Sequence, residues 1–559
     1  MKNKLNNSDK IPMRKPEVVM NIKRLGSMHQ SRLSFARRLV RRMFKHNWKV
    51  SITTWNLSPE GFGSAIYRLD TKNGSYHLVI FSNKIRDDER NDRVIAEKWD
   101  VTFALVQGEV DDNLYKDLYN NVPKQEYGRN SNKILVLARA NKSLRIFDHI
   151  LQKLQSGEQP NPELLSEVGY ILRTTAVYGN GKFGISDFKL LENNPDFNLT
   201  FSAQMFSVYL LRQFSLDWVH FISKEQARES AVTIDKEFQR YIGVGNATGL
   251  GMAPYLINHP CVIDQWLSER ELALTLISNL DITIERKNKV ISLIRKALQY
   301  LSEVVTIDEQ QNNINAQAVK DIDTIIPILE NIKHNSIQWG SVLKDLEFFE
   351  YESQEILISC LLEVYPEHSD PHALNMKSVD QTLELTPSIT IAETLKILEN
   401  RYAWAINTDF TKLENSYWFW YISEDKEEPR LGVRGKDLGE DKELPLDIAR
   451  QVSNLYKAIS SEHPETKLVQ FLIDNPPYSP IARRVCTMGN RLMGDIQMNI
   501  LAKDMLPIDL LRCKLSFLGA TKFDPRSDRW VRVTFFQGAP LLNEINDDNW
   551  LFPLCPNLH

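Results

Sequence analysis

The chain has 559 residues, 42% of them hydrophobic and 25% charged, with a formal net charge of −4. That is ordinary globular composition with room for roughly two to four domains, and it excludes collagen-like and charge-rich disordered classes. The slightly acidic balance gives no bulk attraction to nucleic acid or to an anionic membrane.

Five cysteines (Cys261, Cys360, Cys486, Cys513 and Cys555) are scattered with no CxxC pair. This spacing argues against a disulfide framework and a structural zinc site. The start is basic and Asn-rich, with no apolar core of a signal peptide, so a reducing, cytoplasmic location is expected. No apolar run approaches the roughly 18 residues of a spanning helix, so no membrane partner is expected.

Residues 1–20 are polar, with Pro12 and Pro16, and read as a frayed start. The stretch SRLSFARRLVRRMFKHNWKV (31–50) predicts an amphipathic helix. Leu33, Ala36, Leu39, Val40, Met43 and Phe44 form one stripe, and Arg37, Arg38, Arg41, Arg42 and Lys45 crowd the other side. KVSITTW, SAIYRLD and SYHLVIFSN read as strands. Asn73-Gly74 predicts a two-residue hairpin turn with both residues at positive φ. A small antiparallel sheet is therefore expected over about 49–83.

From about 92 to 400 the pattern reads as mostly helical. DRVIAEKWDVTFALVQG reads as one helix ending at Gly108, and KSLRIFDHILQKLQSG stops at Gly157. NPELLSEVGYILRTTAVYG and the long apolar FSAQMFSVYLLRQFSLDWVHFIS follow. NKVISLIRKALQYLSEVV and AVKDIDTIIPILENIK read as a bundle pair. Beyond 400, SYWFWYISE (416–424) and RWVRVTFFQ (529–537) read as strands. The fold class is α+β and predominantly helical, with a small N-terminal antiparallel sheet, a large helical core and a C-terminal mixed strand/helix region. The expected parts are 1–90, 91–400 and 401–559.

Two glycine-rich stretches carry most of the candidate chemistry. YIGVGNATGLGMAPYLINHP (241–260) holds Gly243, Gly245, Gly249 and Gly251, then Asn258 and His259. Glycine lets a backbone approach a ligand closely, and amides at a following helix start bind anions. Asn246 and Thr248 add side-chain contacts. The pattern is neither a dinucleotide fingerprint nor a P-loop. The competing reading is a plain helix-to-helix connection with Pro254 near the next helix start. RTTAVYGNGKFGISD (173–187) sets Arg173, Thr174, Thr175, Tyr178, Asn180 and Lys182 around Gly179, Gly181 and Gly184. Lys182 is placed as an anion-binding charge, and Arg173 suits a carboxylate or phosphate. A helix stop followed by a turn explains Gly179 alone.

Other clusters favour plainer readings. Cys486 lies beside Arg483 and Arg484, yet no His partner accompanies it, so a core residue outweighs a nucleophile. PEHSDPHAL offers His368, Asp370 and His372 in what reads as a Pro-rich loop, a poor metal spacing. Arg529 and Arg532 flank Trp530 in the last strand and suit acidic groups or a solvated ion-pair network. No metal site is expected, and no motif names a cofactor.

The leading reading is an enzyme acting on a small polar, anionic metabolite by acid/base chemistry. Its pocket would be lined by both glycine stretches, 178–184 and 243–251. Arg173, Lys182 and Arg529 would hold the anion, with Thr174, Asn180, Asn246, Thr248 and Asn258 around it. His259, Tyr178 and Lys182 are the catalytic candidates, His259 or Tyr178 serving as general acid or base. The rival is a nucleic-acid-associated protein using the basic 31–50 helix, although the acidic overall balance argues against specific binding. A non-catalytic scaffold subunit docking through that helix is the third reading. The expected partner is a small-molecule ligand, and an oligomer is left open.

Overall fold

The computed structural model describes residues 14–86, 98–124, 133–177, 191, 193–249, 260–333, 337–376, 383–412, 419–422, 429–432, 442–445, 448–489, 491, 493–495, 512, 516–527, 530–546 and 549–558. The fold is α+β with a helical core, built against one mixed sheet.

The sheet contains β1 (Lys49–Leu57), β2 (Gly63–Thr71), β3 (Gly74–Ser82), β4 (Val101–Gln107), β5 (Ile134–Lys142), β6 (Tyr170–Thr174) and β7 (Gly243–Gly249). Three short strands, β8 (Phe419–Ile422), β9 (Pro429–Gly432) and β10 (Lys442–Pro445), form a second, antiparallel sheet. The chain returns to the large sheet with β11 (Ala520–Ser527) and β12 (Trp530–Phe535), giving the order β1-β2-β3-β4-β5-β6-β7-β12-β11. Neighbours are antiparallel except β6 and β7, which run parallel. A parallel pair needs a long crossover, and the chain between these two passes through the helix Ser202–Gln226.

The large sheet takes in segments that the sequence pattern assigns to helices. Residues 101–107, expected inside one helix, form β4. Tyr170–Thr174 form β6, after Gly169 stops the helix Pro162–Val168 with φ 75°. Every residue of β6 and all but the last of β4 are buried. A strand covered on both faces carries a continuous apolar run, and such a run lacks the alternation that separates strand from helix. The second face over β2–β4 has its own small core of Ile66, Val79, Phe81, Ala104, Val106 and Leu118. The helix Asp112–Asn121 contributes Leu118 to it.

The β2–β3 hairpin forms as expected, with a shifted turn. Thr71 pairs with Gly74, so the two connecting residues are Lys72 and Asn73. Asn73 does not take positive φ, and its side-chain amide donates to Asp196 at 2.8 Å. That bond ties the turn to the segment before the crossover helix.

The helical layer is organised by α1 (Phe35–Lys45), α2 (Ser202–Gln226), α3 (Pro260–Ser278), α4 (Ile284–Glu303), α5 (Glu309–Glu330), α6 (Tyr351–Val364) and α7 (Pro366–Asn375). α4 and α5 pack as the expected pair, and both also touch α6. Helix α6 is buried at every position after Tyr351, including Glu352, Glu355 and Glu363. A buried carboxylate needs a cation and hydrogen bonds to remain charged. Glu355 receives Arg24 at 2.8 Å, Arg14 at 3.0 Å and Arg270 of α3 at 2.6 Å. Glu352 meets His29, and Arg512 at 2.6 Å. Glu363 meets Arg37 at 2.6 Å and Arg32 at 3.5 Å. Most of these cations come from residues 14–37, so the N-terminal segment is fastened along one central helix.

Burial alone would raise these carboxyls. It is outweighed at Glu355 by Arg270, Arg14 and Arg24, at Glu352 by Arg512 and His29, and at Glu363 by Arg37, Arg41 and Arg32. All three are held below the usual glutamate value. Their stabilisation is therefore complete above the unfolded glutamate pKa of about 4.3 and is lost as pH falls through the lower folded values. Urea unfolding should show a midpoint that is flat near neutrality and drops once pH goes below that range. Glu355→Gln leaves Arg24 without a carboxylate, while Arg14 and Arg270 keep Glu271, and it should destabilise by about 3 kcal/mol at neutral pH. A loss below about 1 kcal/mol, the range of a solvated pair, would contradict this reading.

Candidate functional site

The structure first decides what the 241–260 glycines do. Gly243–Gly249 is the strand β7, not a loop at a helix start. A Cβ on Gly245 would lie 2.7 Å from ring carbons of Tyr170, and one on Gly243 would lie 2.4 Å from the Phe535 carbonyl oxygen. At these two positions glycine makes room for the protein's own β6 and β12, a close approach that needs no ligand.

Some of the sequence candidates meet on β6 and β7. Arg173 is buried, and its backbone lies in register with Asn141 of β5 and Gly245 of β7. Thr174 is buried, donates to the Arg139 carbonyl at 2.8 Å and accepts from the Ala176 amide at 3.1 Å, which closes the chain turn after β6. Asn246 is fully buried opposite Val533, and Thr248 pairs with Val531 in the backbone register. The 178–184 loop lies outside the described residues, with Tyr178, Asn180 and Lys182, and so do Asn258, His259 and Arg529.

The plainer clusters resolve as packing. Burial pushes the Cys486 thiol up to about 11, the opposite of an activated nucleophile. PEHSDPHAL is helical (α7), not a loop. His372 Nδ1 lies 2.6 Å from Glu269, and Asp370 is held by Arg32.

A better-defined site lies on α1. This helix is far more enclosed than its sequence suggests: Arg37 is 1% exposed and Arg38 5%. Arg37 faces Glu363, as described. Arg38, Arg41, Arg42 and Lys45 fall at i, i+3, i+4 and i+7, one face of two helical turns. They line a cleft of about 260 Å³ with His46, Asn198, Leu199, Asp370, Ala373 and Leu374. The walls come from the segment before α2 and from the last turns of α7, both remote in sequence from α1.

The cations in this cleft outnumber the carboxylates that act on them, Glu363 and Asp370 on Arg41 and Asp196 on Arg42. Asp370 is the carboxylate in the lining, and Arg32 already binds both of its oxygens at 2.5 and 2.9 Å. Arg41 donates to the Arg32 carbonyl, with its Nε 3.7 Å from Asp370. Arg42 donates to Asn198 Oδ1 at 3.0 Å and to the Pro195 carbonyl at 2.5 Å. Arg38 donates from Nη2 to the Met376 carbonyl at 2.6 Å, while its buried Nε and Nη1 have no hydrogen-bond partner among the described residues. Burial, then Arg41 and Arg42, push the Arg38 guanidinium down to about 9, and burial and Arg32 bring Arg41 to about the same value. Burial, with Arg42, Lys72 and Lys45, also lowers His46 and favours its neutral form.

The signal for this cleft was present in the sequence as the i, i+3, i+4, i+7 spacing of four cations. What the sequence lacks is any sign that Asn198 and Leu374 fold over them. Comparison with protein-family models, curated proteins and solved structures gives no match, so the site is read from its own geometry.

The neighbours Arg37 and Arg38 should respond oppositely to removal of charge. Arg37→Met takes a cation from buried Glu363 and should destabilise by about 3 kcal/mol. Arg38→Met removes a buried charge that no described carboxylate balances, and should change stability by less than about 1 kcal/mol or raise it. Equal losses in the two variants by urea unfolding would show that Arg38 is an ordinary structural arginine.

Proposed function

We propose that the protein binds a small, multiply charged anion in the α1 cleft. The observation that carries this reading is Arg38: a buried guanidinium that meets a backbone carbonyl rather than a carboxylate, with Nε and Nη1 unpartnered among the described residues, lining a cleft beside Arg41, Arg42 and Lys45. A buried cation without a counter-charge is costly, and an arriving anion with several acceptor oxygens offsets that cost. Complementing the helix dipole accounts for cations in the last turn, Arg42 and Lys45, but not for Arg38 two turns earlier. The concave, partly apolar lining fits a small ligand better than an extended polymer. This reading keeps the anionic metabolite suggested by the sequence and seats it on α1. His46, at the rim, is the titratable group that would serve an acid/base step.

Sulfate is a suitable first probe, because its double charge is constant across the neutral range. Calorimetric titration should detect sulfate binding. Arg42→Gln should weaken it by about 1.5–3 kcal/mol, the worth of a charge-assisted hydrogen bond. Burial and the neighbouring cations hold His46 below its ordinary value, and a bound anion offsets the cations' part. Binding therefore takes up a proton, and affinity should rise as pH falls from about 8 to about 6. His46→Gln should flatten this dependence. Failure of sulfate and phosphate to bind at millimolar concentration, or identical affinity in Arg42→Gln, would remove the proposal.

A further inference from the structure

We infer that the α1 cleft is built for a diphosphate group rather than a single phosphate. This rests on the anion-binding reading of the same cleft and deepens it. Arg38 and Lys45 lie seven residues apart, about 10 Å along the helix axis, with Arg41 and Arg42 between them. A single phosphate carries all its oxygens on one phosphorus atom and engages the cations of one turn. Two phosphates joined by a bridging oxygen engage both turns at once.

The charge balance points the same way. Four cationic side chains line the cleft with one carboxylate, Asp370, which is already held at both oxygens by Arg32. Orthophosphate brings at most two negative charges near neutrality, and a diphosphate brings about three. Lys45 is exposed and has no partner among the described residues, so it is available to a second phosphate at the outer end. The lining also holds Leu199, Ala373 and Leu374, apolar side chains suited to the organic part of a diphosphate ester.

The test is calorimetric titration of the full chain with pyrophosphate, orthophosphate, sulfate and a nucleoside diphosphate, all in one buffer near neutral pH, where Arg38 and Arg41 stay charged. Pyrophosphate should bind on the order of tenfold more tightly than orthophosphate, one added charge-assisted contact. Lys45→Ala, at an exposed position that does not threaten folding, should narrow that gap to within about threefold. A nucleoside diphosphate tighter than pyrophosphate supports the inference and makes the source a nucleotide. One that binds equally or more weakly also supports it and makes the source free diphosphate or another ester. Orthophosphate as tight as pyrophosphate overturns the diphosphate assignment and leaves the anion site standing. Silence from all four probes overturns both. Displacement of pyrophosphate by a single-stranded RNA oligonucleotide with a steep salt dependence overturns it in favour of a polynucleotide surface.

Discussion

Helix α6 places three glutamates where no water reaches them, and the rest of the molecule is arranged to answer that. Each must find a cation or lose its charge. The answering residues lie far away in sequence: Arg24 and Glu355 are 331 positions apart, and so are Arg32 and Glu363. Pairing at such separation pins the N-terminal segment across the helical layer. Buried pairs of this kind contribute little net stability compared with apolar packing, but breaking one is severe. They therefore act mainly as locators, fixing which face of the segment turns where.

That placement has a consequence for α1. With Arg37 turned to Glu363 and Arg32 to Asp370, the roll of the helix about its axis is set. Arg38, Arg41, Arg42 and Lys45 line the cleft together with Asn198 and Leu374. One side of α1 is neutralised at Glu363, and the other carries more cations than the carboxylates acting on it balance. Local departures from polar satisfaction of this sort concentrate at functional sites. Adjacent Arg37 and Arg38 both keep Nε and Nη1 without a hydrogen-bond partner among the described residues, and they differ in that Arg37 Nη2 meets the Glu363 carboxylate whereas Arg38 Nη2 meets a backbone carbonyl.

The fold class was legible from hydrophobic period. The long apolar run of 202–226 and the apolar pattern of 284–303 and 309–330 mark those helices, and β-rich runs around Asn73-Gly74 mark β2 and β3. β4 and β6 were not legible, because strands buried on both faces show no alternation. β7 was misread for a different reason: its glycines signal close approach, and sequence does not say to what. The answer, Tyr170 and Phe535, is tertiary information. The basic helix was legible as an electrostatic feature, but its burial was not. Arginine is rarely buried unless paired, and the pairing carboxylates sit in a stretch, YESQEILISCLLEV, whose glutamates look like the polar face of an ordinary amphipathic helix. The cleft needed three remote segments to meet, which no local pattern encodes.

The anion seat proposed on α1 can be seen or missed in a crystal structure of the protein soaked with selenate, located by its anomalous scattering. A peak is expected in the cleft within hydrogen-bonding reach of Arg38 and of Arg42 or Lys45, with Arg37 still on Glu363. A cleft without a peak, with the Arg38 guanidinium paired to a protein carboxylate, would contradict it.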